Sequence, residues 1–283
     1  MKRILLQLDT DAMPSVFDRV VAVDAGVDEI FSYGGVTPEN VMGLVHGLMF
    51  TRGPADLSHS AIFIGGSDMA AGEAVLKKVW KTLFSPLTVS VMLDSNGSNT
   101  TAAAAVRVAA SHLTLSNTRA VVLGGTGPVG ERAARILARE GAEVVVASRS
   151  IERAEASCER IRTAVPNAKV IPSLSTPSAI ASLAAGTQLL LAAGAAGVQF
   201  LSQEERQQWG DLKVAIDLNA VPPVGLEGIK VTDRAAMQGD VLCYGAIGIG
   251  GGKMKLHKQA IHRLFESNST VLDVNEIYDL PRQ

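Results

Sequence analysis

Short apolar runs, each closed by a polar or glycine-bearing turn and followed by apolar positions at helical spacing, recur along the chain. The pattern predicts alternating strands and helices, hence parallel sheets covered by helices. Arg3 to Leu8 reads as the first strand, and Asp9 to Ser15 as a polar turn into a helix carrying Val16, Phe17, Val20 and Val21. Ser15, or a residue just before Pro14, is the expected cap of that helix. Asp28 to Tyr33 is a second strand, and Thr37 and Pro38 are expected to cap and open another helix. Ser60 to Ile64 is a buried strand ending at Gly65-Gly66; Ser67 to Glu73 starts a helix carrying Val75, Leu76, Val79 and Leu83, and Leu87 to Leu93 is the next strand.

Asp94 to Thr101 contains no apolar residue, and the alanine-rich helix Ala102 to Ala110 follows it. Loops at the carboxyl ends of parallel strands are where α/β proteins place ligands. The stretch is therefore expected to face a ligand, with an ordinary capped turn as the alternative. Thr114 to Asn117 reads as a linker.

Beyond it, Arg119 to Leu123 is a strand, helical spacing resumes from Glu131 through Ala134, Ile136 and Leu137, Gly141 closes that helix, and Glu143 to Ser148 is a second strand. Between strand and helix, Gly125, Thr126, Gly127, Pro128, Val129 and Gly130 spell G-x-G-x-x-G in the context where it has a mechanism. The first glycine permits a tight turn, the second lets the backbone approach a pyrophosphate, and the third lets the helix pack on the strand. The helix N-terminus offers N–H groups and partial positive charge to phosphates. At the tip of the second strand stand Ser148, Arg149 and Ser150, with Arg153 one turn later, where an NAD site usually has Asp or Glu. Arg149 suits the 2′-phosphate of NADP, unless it is simply a solvated arginine.

Ile151 to Ala164 reads as an amphipathic helix, Ala168 to Ile171 as a strand, Pro177 to Ala185 as a helix capped by Thr176, and Gln188 to Ala192 as a strand. Ala193 and Gly194, small residues after that strand, are expected to let the backbone approach the nicotinamide ribose. Leu212 to Ile216 is the last strand of this series, and Asn219 beyond it either contacts the nicotinamide side or sits in a proline-stiffened loop. Tyr244 to Gly252, with Gly248, is expected to hug a ligand or another backbone before a helix from Met254 to Leu264. Lys253 at that junction is either a solvated lysine or a binding residue. The tail through Tyr278 is expected to return to the first domain. The fold class is α/β: two α/β domains with a cleft between them, 1–117 plus 254–283 and 118–253, the second a Rossmann-type doubly wound parallel sheet.

Composition narrows the function classes. With 283 residues, 47% hydrophobic and a net charge of −2, the chain supports a sizeable core and carries no basic stripe, so nucleic acid is not an expected partner. Cys158 and Cys243 lack metal or redox spacing and read as free thiols. The apolar run after Lys2-Arg3 is cut by Asp9 and Asp11, too early for a signal peptide, and Leu189 to Gly197 is too short to span a bilayer. A cytoplasmic protein is expected, with no membrane partner. Of five histidines (His46, His59, His112, His257, His262), only the pair on the last helix approaches ligand spacing, and no metal site is expected.

Four stretches together carry a resemblance: Asp9-Thr10-Asp11 with Pro14 to Asp18, Asp94 to Ala102, Gly125 to Gly130, and Gly248-Ile249-Gly250-Gly251 with Lys253 to His257. From end to end the chain resembles the bacterial NAD(P)-dependent methylene-tetrahydromethanopterin dehydrogenases of one-carbon metabolism in methylotrophic and related bacteria. The resemblance implies hydride transfer from the methylene bridge of a pterin carrier to NADP+, with NAD as an alternative, and a homo-oligomer. Direct hydride transfer needs no metal, general base or covalent nucleophile. Asp18 and Asp94 are the carboxylates expected to stabilise the cationic product or accept from the aminopyrimidine. Lys253 matches a family active-site position, where it would hold a pterin carbonyl, pair with an aspartate or be partly neutral. Asp9, Asp11, Pro14, Ser15, Ser95, Asn96, Asn99 and Thr100 lie in the stretches expected to bind the carrier. A related alternative is a methylene-tetrahydrofolate dehydrogenase. The dual dehydrogenase and cyclohydrolase members of that family carry Tyr-x-x-x-Lys, whereas Tyr33 here is followed by Thr37, which argues against cyclohydrolase activity. A non-catalytic NADP-binding regulator is the remaining alternative, and an assay of hydride transfer separates it.

Overall fold

The computed structural model describes residues 1–282, which divide into two compact units. One comprises Met1–Thr100 and the chain from Met254 onward; the other is Thr101–Lys253.

The first unit holds β1 (Ile4–Asp9), α1 (Val16–Asp24), β2 (Glu29–Tyr33), α2 (Val41–Met49), β3 (Ser60–Gly65), α3 (Met69–Thr82) and β4 (Ser90–Leu93). The helix α4 (Ser98–Ala110) begins in it and continues into the second unit. The second unit then runs β5 (Arg119–Leu123), α5 (Pro128–Arg139), β6 (Glu143–Ser148), α6 (Ile151–Ala164), β7 (Val170–Leu174), α7 (Pro177–Ser182), β8 (Leu189–Ala192), α8 (Gln203–Gln207), β9 (Val214–Asp217), β10 (Ala236–Gln238) and β11 (Val241–Tyr244). The long α9 (Ala246–Arg263) starts there and ends in the first unit, followed by β12 (Val271–Leu272) and α10 (Val274–Asp279). By this division, residues 111–117 go with the second unit.

In the first unit five parallel strands lie in the order β12-β4-β3-β1-β2. This is the doubly wound order 2-1-3-4-5, with its switch point between β1 and β3. One face of the sheet packs Leu6, Leu8, Ile62, Ile64, Val91 and Leu93 against Val41, Val45 and Leu48 of α2 and Val75 and Val79 of α3. On the other, Gln7 donates to the Ser15 carbonyl at the start of α1 (3.3 Å) and Phe63 stacks on His257 of α9. In the second unit seven strands run β10-β11-β9-β8-β5-β6-β7, parallel except for the antiparallel β10 edge. Without that edge the order is 3-2-1-4-5-6, the Rossmann order, and its switch point falls between β5 and β8. Val121, Leu123, Val145, Leu190 and Ala215 form its core with Ile180, Trp209 and Leu212.

Three expectations need correction. α2 starts at Val41 rather than Pro38, because Thr37 to Asn40 closes a turn of its own: Thr37 N–H donates to Asn40 Oδ1 (2.8 Å), and the N–H groups of Asn40 and Val41 both donate to the Thr37 carbonyl. Asp94 to Thr101 is not an open loop. A 3₁₀ turn spans Ser95–Gly97, and Ser98 to Thr101 form the start of α4. The glycine-rich stretch after Tyr244 is helical from Ala246, so Gly248 and Lys253 lie inside α9. Among smaller shifts, the strands expected from Leu87 and Ala168 begin at Ser90 and Val170, and α7 ends at Ser182. β10, β11, β12, α8 and α10 are elements that no expectation covered.

Candidate functional site

In the second unit, β5 runs into Gly124, which has a φ of +70°, so the left-handed residue precedes the glycine motif rather than being its first glycine. Gly125 serves packing: a Cβ there would stand 2.8 Å from Val146 Cγ1 on β6. Gly130 lets α5 close onto the turn, since its Cβ would meet the Gly124 carbonyl oxygen at 2.4 Å. Gly127 is the N-cap of α5, with no side chain to satisfy the first turn, and Pro128 follows. Uncapped N–H groups beside a backbone kept bare by glycine fit a pyrophosphate.

At the tip of β6, Ser148 is buried and its Oγ lies 3.1 Å from Thr126 Oγ1, tying strand tip to glycine turn. Arg149 and Arg153 are exposed. Ser150 caps α6 and donates its hydroxyl to Glu152 Oε2 (2.6 Å). A carboxylate thus stands near this tip after all, engaged by Ser150.

The remaining residues expected on the nicotinamide side have structural duties. Ala193 N–H donates to Leu123 O (2.9 Å), and Gly194 makes room for the Phe200 ring, 2.5 Å from where a Cβ would be. Asn219 holds its own loop, donating to the Ala195 and Pro223 carbonyls (both 3.4 Å) and accepting from Val221 N–H (3.0 Å). Nearby Asp217, its carboxyl pushed up by burial, accepts from the N–H groups of Leu226 and Asn219. Gly248 is required by the chain itself, because a Cβ would fall 1.8 Å from the Asp233 carbonyl oxygen.

In the first unit four aspartates, Asp9, Asp11, Asp18 and Asp94, lie at the end of β1, in the turn after it, in the first turn of α1 and just after β4. Asp9, at the end of β1, is buried and accepts from Asp11 N–H (3.0 Å) and Ser15 N–H (2.9 Å), shaping the turn into α1. Asp11 accepts from the N–H (2.9 Å) and hydroxyl (2.8 Å) of Ser67, pinning that turn to the one after β3. Pro14 accepts from Arg19, and Ser15 caps α1 by accepting from Asp18 N–H (3.2 Å). Asp94 is buried, with its two oxygens on the Thr100 N–H and hydroxyl.

Asp18 differs from Asp9 and Asp94 in being only half-buried. Burial pushes its carboxyl above the ordinary carboxylate value; His257 and the Ser15 hydroxyl pull it down, and the like charges of Asp94 and Asp9 raise it further. Gly65 leaves room for this meeting, since a Cβ there would lie 3.3 Å from Asp9 Oδ2 and 3.6 Å from Asp18 Oδ2.

The structure does not turn the polar stretch outward. Ser95 donates to the Gly65 carbonyl (3.2 Å), Asn99 to Leu93 O (2.6 Å) and Asp273 Oδ1 (2.9 Å), and Thr100 to Asp94; all three are buried. Asn96 alone among the expected contacts here is exposed, at φ 54°. The sequence marks His257 only as one of a histidine pair on the last helix, although a further signal existed: it shares the buried spacing of Ala260 and Ile261 on α9. Lys253 lies one turn before it on that helix.

Residues 16–96 match the family described as methylene-tetrahydromethanopterin dehydrogenase, N-terminal. Over 288 aligned residues the chain is 45% identical to the bifunctional protein MdtA of Methylorubrum extorquens (strain AM1), covering 100% of this chain and 99% of the relative. It is 31% identical, over 94% of its length and 93% of the relative, to the NAD(P)-dependent methylenetetrahydromethanopterin dehydrogenase of the same strain. Among solved structures, the ligand-free 5-ketofructose reductase of Gluconobacter sp. strain CHM43 shares the fold, with a TM-score of 0.51 at 16% identity over 99% of this chain and 98% of that one. These full-length relationships place the chain in the family of NAD(P)-dependent methylene-tetrahydromethanopterin dehydrogenases.

Proposed function

We propose that the protein oxidises the methylene bridge of methylene-tetrahydromethanopterin to the methenyl form and passes the hydride to NADP+, as a step of one-carbon metabolism in the cytoplasm. Identity of 31% over 94% of the chain to the NAD(P)-dependent methylenetetrahydromethanopterin dehydrogenase of Methylorubrum extorquens carries this reading. When bound, the dinucleotide supplies the hydride acceptor. Thr126, Gly127, Pro128, Val129 and Gly130 present the α5 N-terminus to its pyrophosphate, and Arg149 and Arg153, with Ser148 and Ser150, take the 2′-phosphate. Ala193, Gly194, Asn219 and Gly248 act through the backbone shape they maintain. NAD, lacking that phosphate, is the weaker partner.

In the first unit Asp18 takes the donor edge of the pterin, while Asp9, Asp11, Pro14 and Ser15 hold the turn that presents it. Asp94, Ser95, Asn99 and Thr100 fix the neighbouring 3₁₀ turn, leaving Asn96 to meet the carrier. Lys253 meets the carrier as well, on the face of α9 that His257 continues. Hydride moves directly between carbons, so positioning carries the catalysis, worth roughly 7–11 kcal/mol in favourable cases. The assembly implied by the family is a homo-oligomer.

Initial rates with methylene-tetrahydromethanopterin and methylene-tetrahydrofolate, each with NADP and NAD, test the reading. Faster turnover with the methanopterin carrier and a lower KM for NADP are expected. Turnover with the folate carrier alone moves the substrate assignment, and NADP binding without turnover on either carrier defeats the enzymatic reading.

A further inference from the structure

His257 has no exposed surface. Its ring stacks on Phe63 of β3, with centroids 5.7 Å apart and planes 20° apart, and is tilted against Phe17 of α1 at 6.3 Å. Beside this sandwich stand the three aspartates at the ends of β1 and β4 and in the first turn of α1. Each element packed around Asp18 brings an identifiable group: Asp9 from β1, Ser15 from the turn before α1, the bare Gly65 backbone from β3, Asp94 from the end of β4, and His257 from α9. His257 is the basic side chain of this set.

Two buried carboxylates beside a half-buried third favour protonation of the one least supplied with donors unless a cation offsets them. Asp9 and Asp94 each have both oxygens on donors. The choice therefore falls on Asp18, whose state matters for the substrate. A pterin presents an N–H and an amino group side by side, two donors that match the two oxygens of an ionised carboxylate. A protonated carboxyl would set its own donor against one of them.

We propose that His257 is a positioning residue: its imidazolium, clamped between Phe63 and Phe17, offsets Asp9, Asp18 and Asp94 and keeps Asp18 ionised to accept the paired donors of the pterin. The inference rests on the reading of the first unit as the pterin-binding one. It assigns His257 no contact with the carrier.

The test compares wild type, His257→Gln and Asp18→Asn by the pH dependence of kcat/KM for methylene-tetrahydromethanopterin and by NADP affinity. In His257→Gln the acid limb should move up by about one pH unit, roughly a tenfold loss at a fixed pH on that limb, with recovery at higher pH and unchanged NADP affinity. A uniform loss at every pH, or an unmoved limb, overturns the proposal. Should His257→Gln not fold, nitrogen NMR of histidine-labelled wild type and Asp18→Asn decides: one imidazolium should titrate at lower pH once Asp18 is neutral, and five unchanged histidines overturn the proposal. This readout does not need turnover, so it stands apart from the assay of the dehydrogenase reading. An unchanged carrier KM in Asp18→Asn sinks the assignment of Asp18 to the pterin, and the proposal with it.

Discussion

The Thr100 hydroxyl donates a 2.7 Å hydrogen bond to Asp94 Oδ2 while the Thr100 N–H reaches Oδ1 at 3.0 Å, so one residue in the first turn of α4 holds both oxygens of a buried carboxylate. Replacing Thr100 by Val keeps the shape and removes the hydroxyl from that carboxylate. The expected loss is about 1–3 kcal/mol, a fall in Tm of several degrees at roughly 2–4 °C per kcal/mol. Thr100→Ser should recover most of it. Thermal unfolding of the two variants checks this; equal midpoints would show that the hydroxyl contributes nothing.

Arg149 at the tip of β6 is exposed and borders the glycine turn through the Ser148 and Thr126 pair. A charge-assisted bond to a phosphate contributes about 1.5–3 kcal/mol. Arg149→Ala is therefore expected to raise the KM for NADP about 10- to 100-fold while leaving that for NAD nearly unchanged. Initial rates with both dinucleotides provide the measurement.

Two glycine substitutions should act in opposite directions. At Gly130 an added Cβ meets the Gly124 carbonyl oxygen at 2.4 Å, so Gly130→Ala must open the turn, with an expected loss of about 1–3 kcal/mol and weakened NADP binding. At Gly251, inside α9, an added Cβ meets nothing within 4 Å. Gly251→Ala should stabilise by roughly 0.5–1 kcal/mol, because alanine loses less freedom in a helix than glycine. Calorimetry of the pair reads both signs at once.

Asp18 gives a pH-dependent effect. Its carboxyl lies above the ordinary value in the folded chain, chiefly through burial, so folding favours the protonated form. The unfolded chain releases that proton first, and native stability is lost as pH rises from the unfolded value through the folded one. Above the folded value the penalty is fully present. Asp18→Asn should accordingly raise Tm at pH 7, with the gain shrinking below the carboxylate range, while the KM for the carrier rises. Melting curves from pH 3 to 8 would refute this if the difference did not depend on pH.

The Rossmann sheet of the second unit was legible because its signals are local. A strand, a glycine turn and a helix sit within thirty residues, and the burial of Val121, Val145 and Leu190 follows from their own apolar runs. The polar stretch after Leu93 was misread because its hydrogen bonds are largely tertiary: Ser98 donates to Met69 Sδ, Asn99 to Asp273 and Ser95 to Gly65, none of them visible from composition. The glycines after Tyr244 read as irregular chain on propensity alone. In the structure Gly245 and Gly248 pack against residues 230–234, and that close packing is compatible with a helix. His257 has only His262 near ligand spacing, and its chemistry emerges only when α9, α1 and β3 bring it beside Phe17, Phe63 and Asp18.

The strand β12 lies beside β4, yet 177 residues separate Leu93 from Val271, and the whole Rossmann unit is encoded between them. On a ribosome, the second unit is complete by Lys253, while the other unit still shows β4 as an open edge with unpaired backbone groups. The two halves therefore finish in the reverse of the order in which they begin. Until Val271 and Leu272 emerge, the nascent chain is most exposed to wrong strand pairing at Ser90 to Leu93, and a strand made after the whole second unit closes the first sheet to be started.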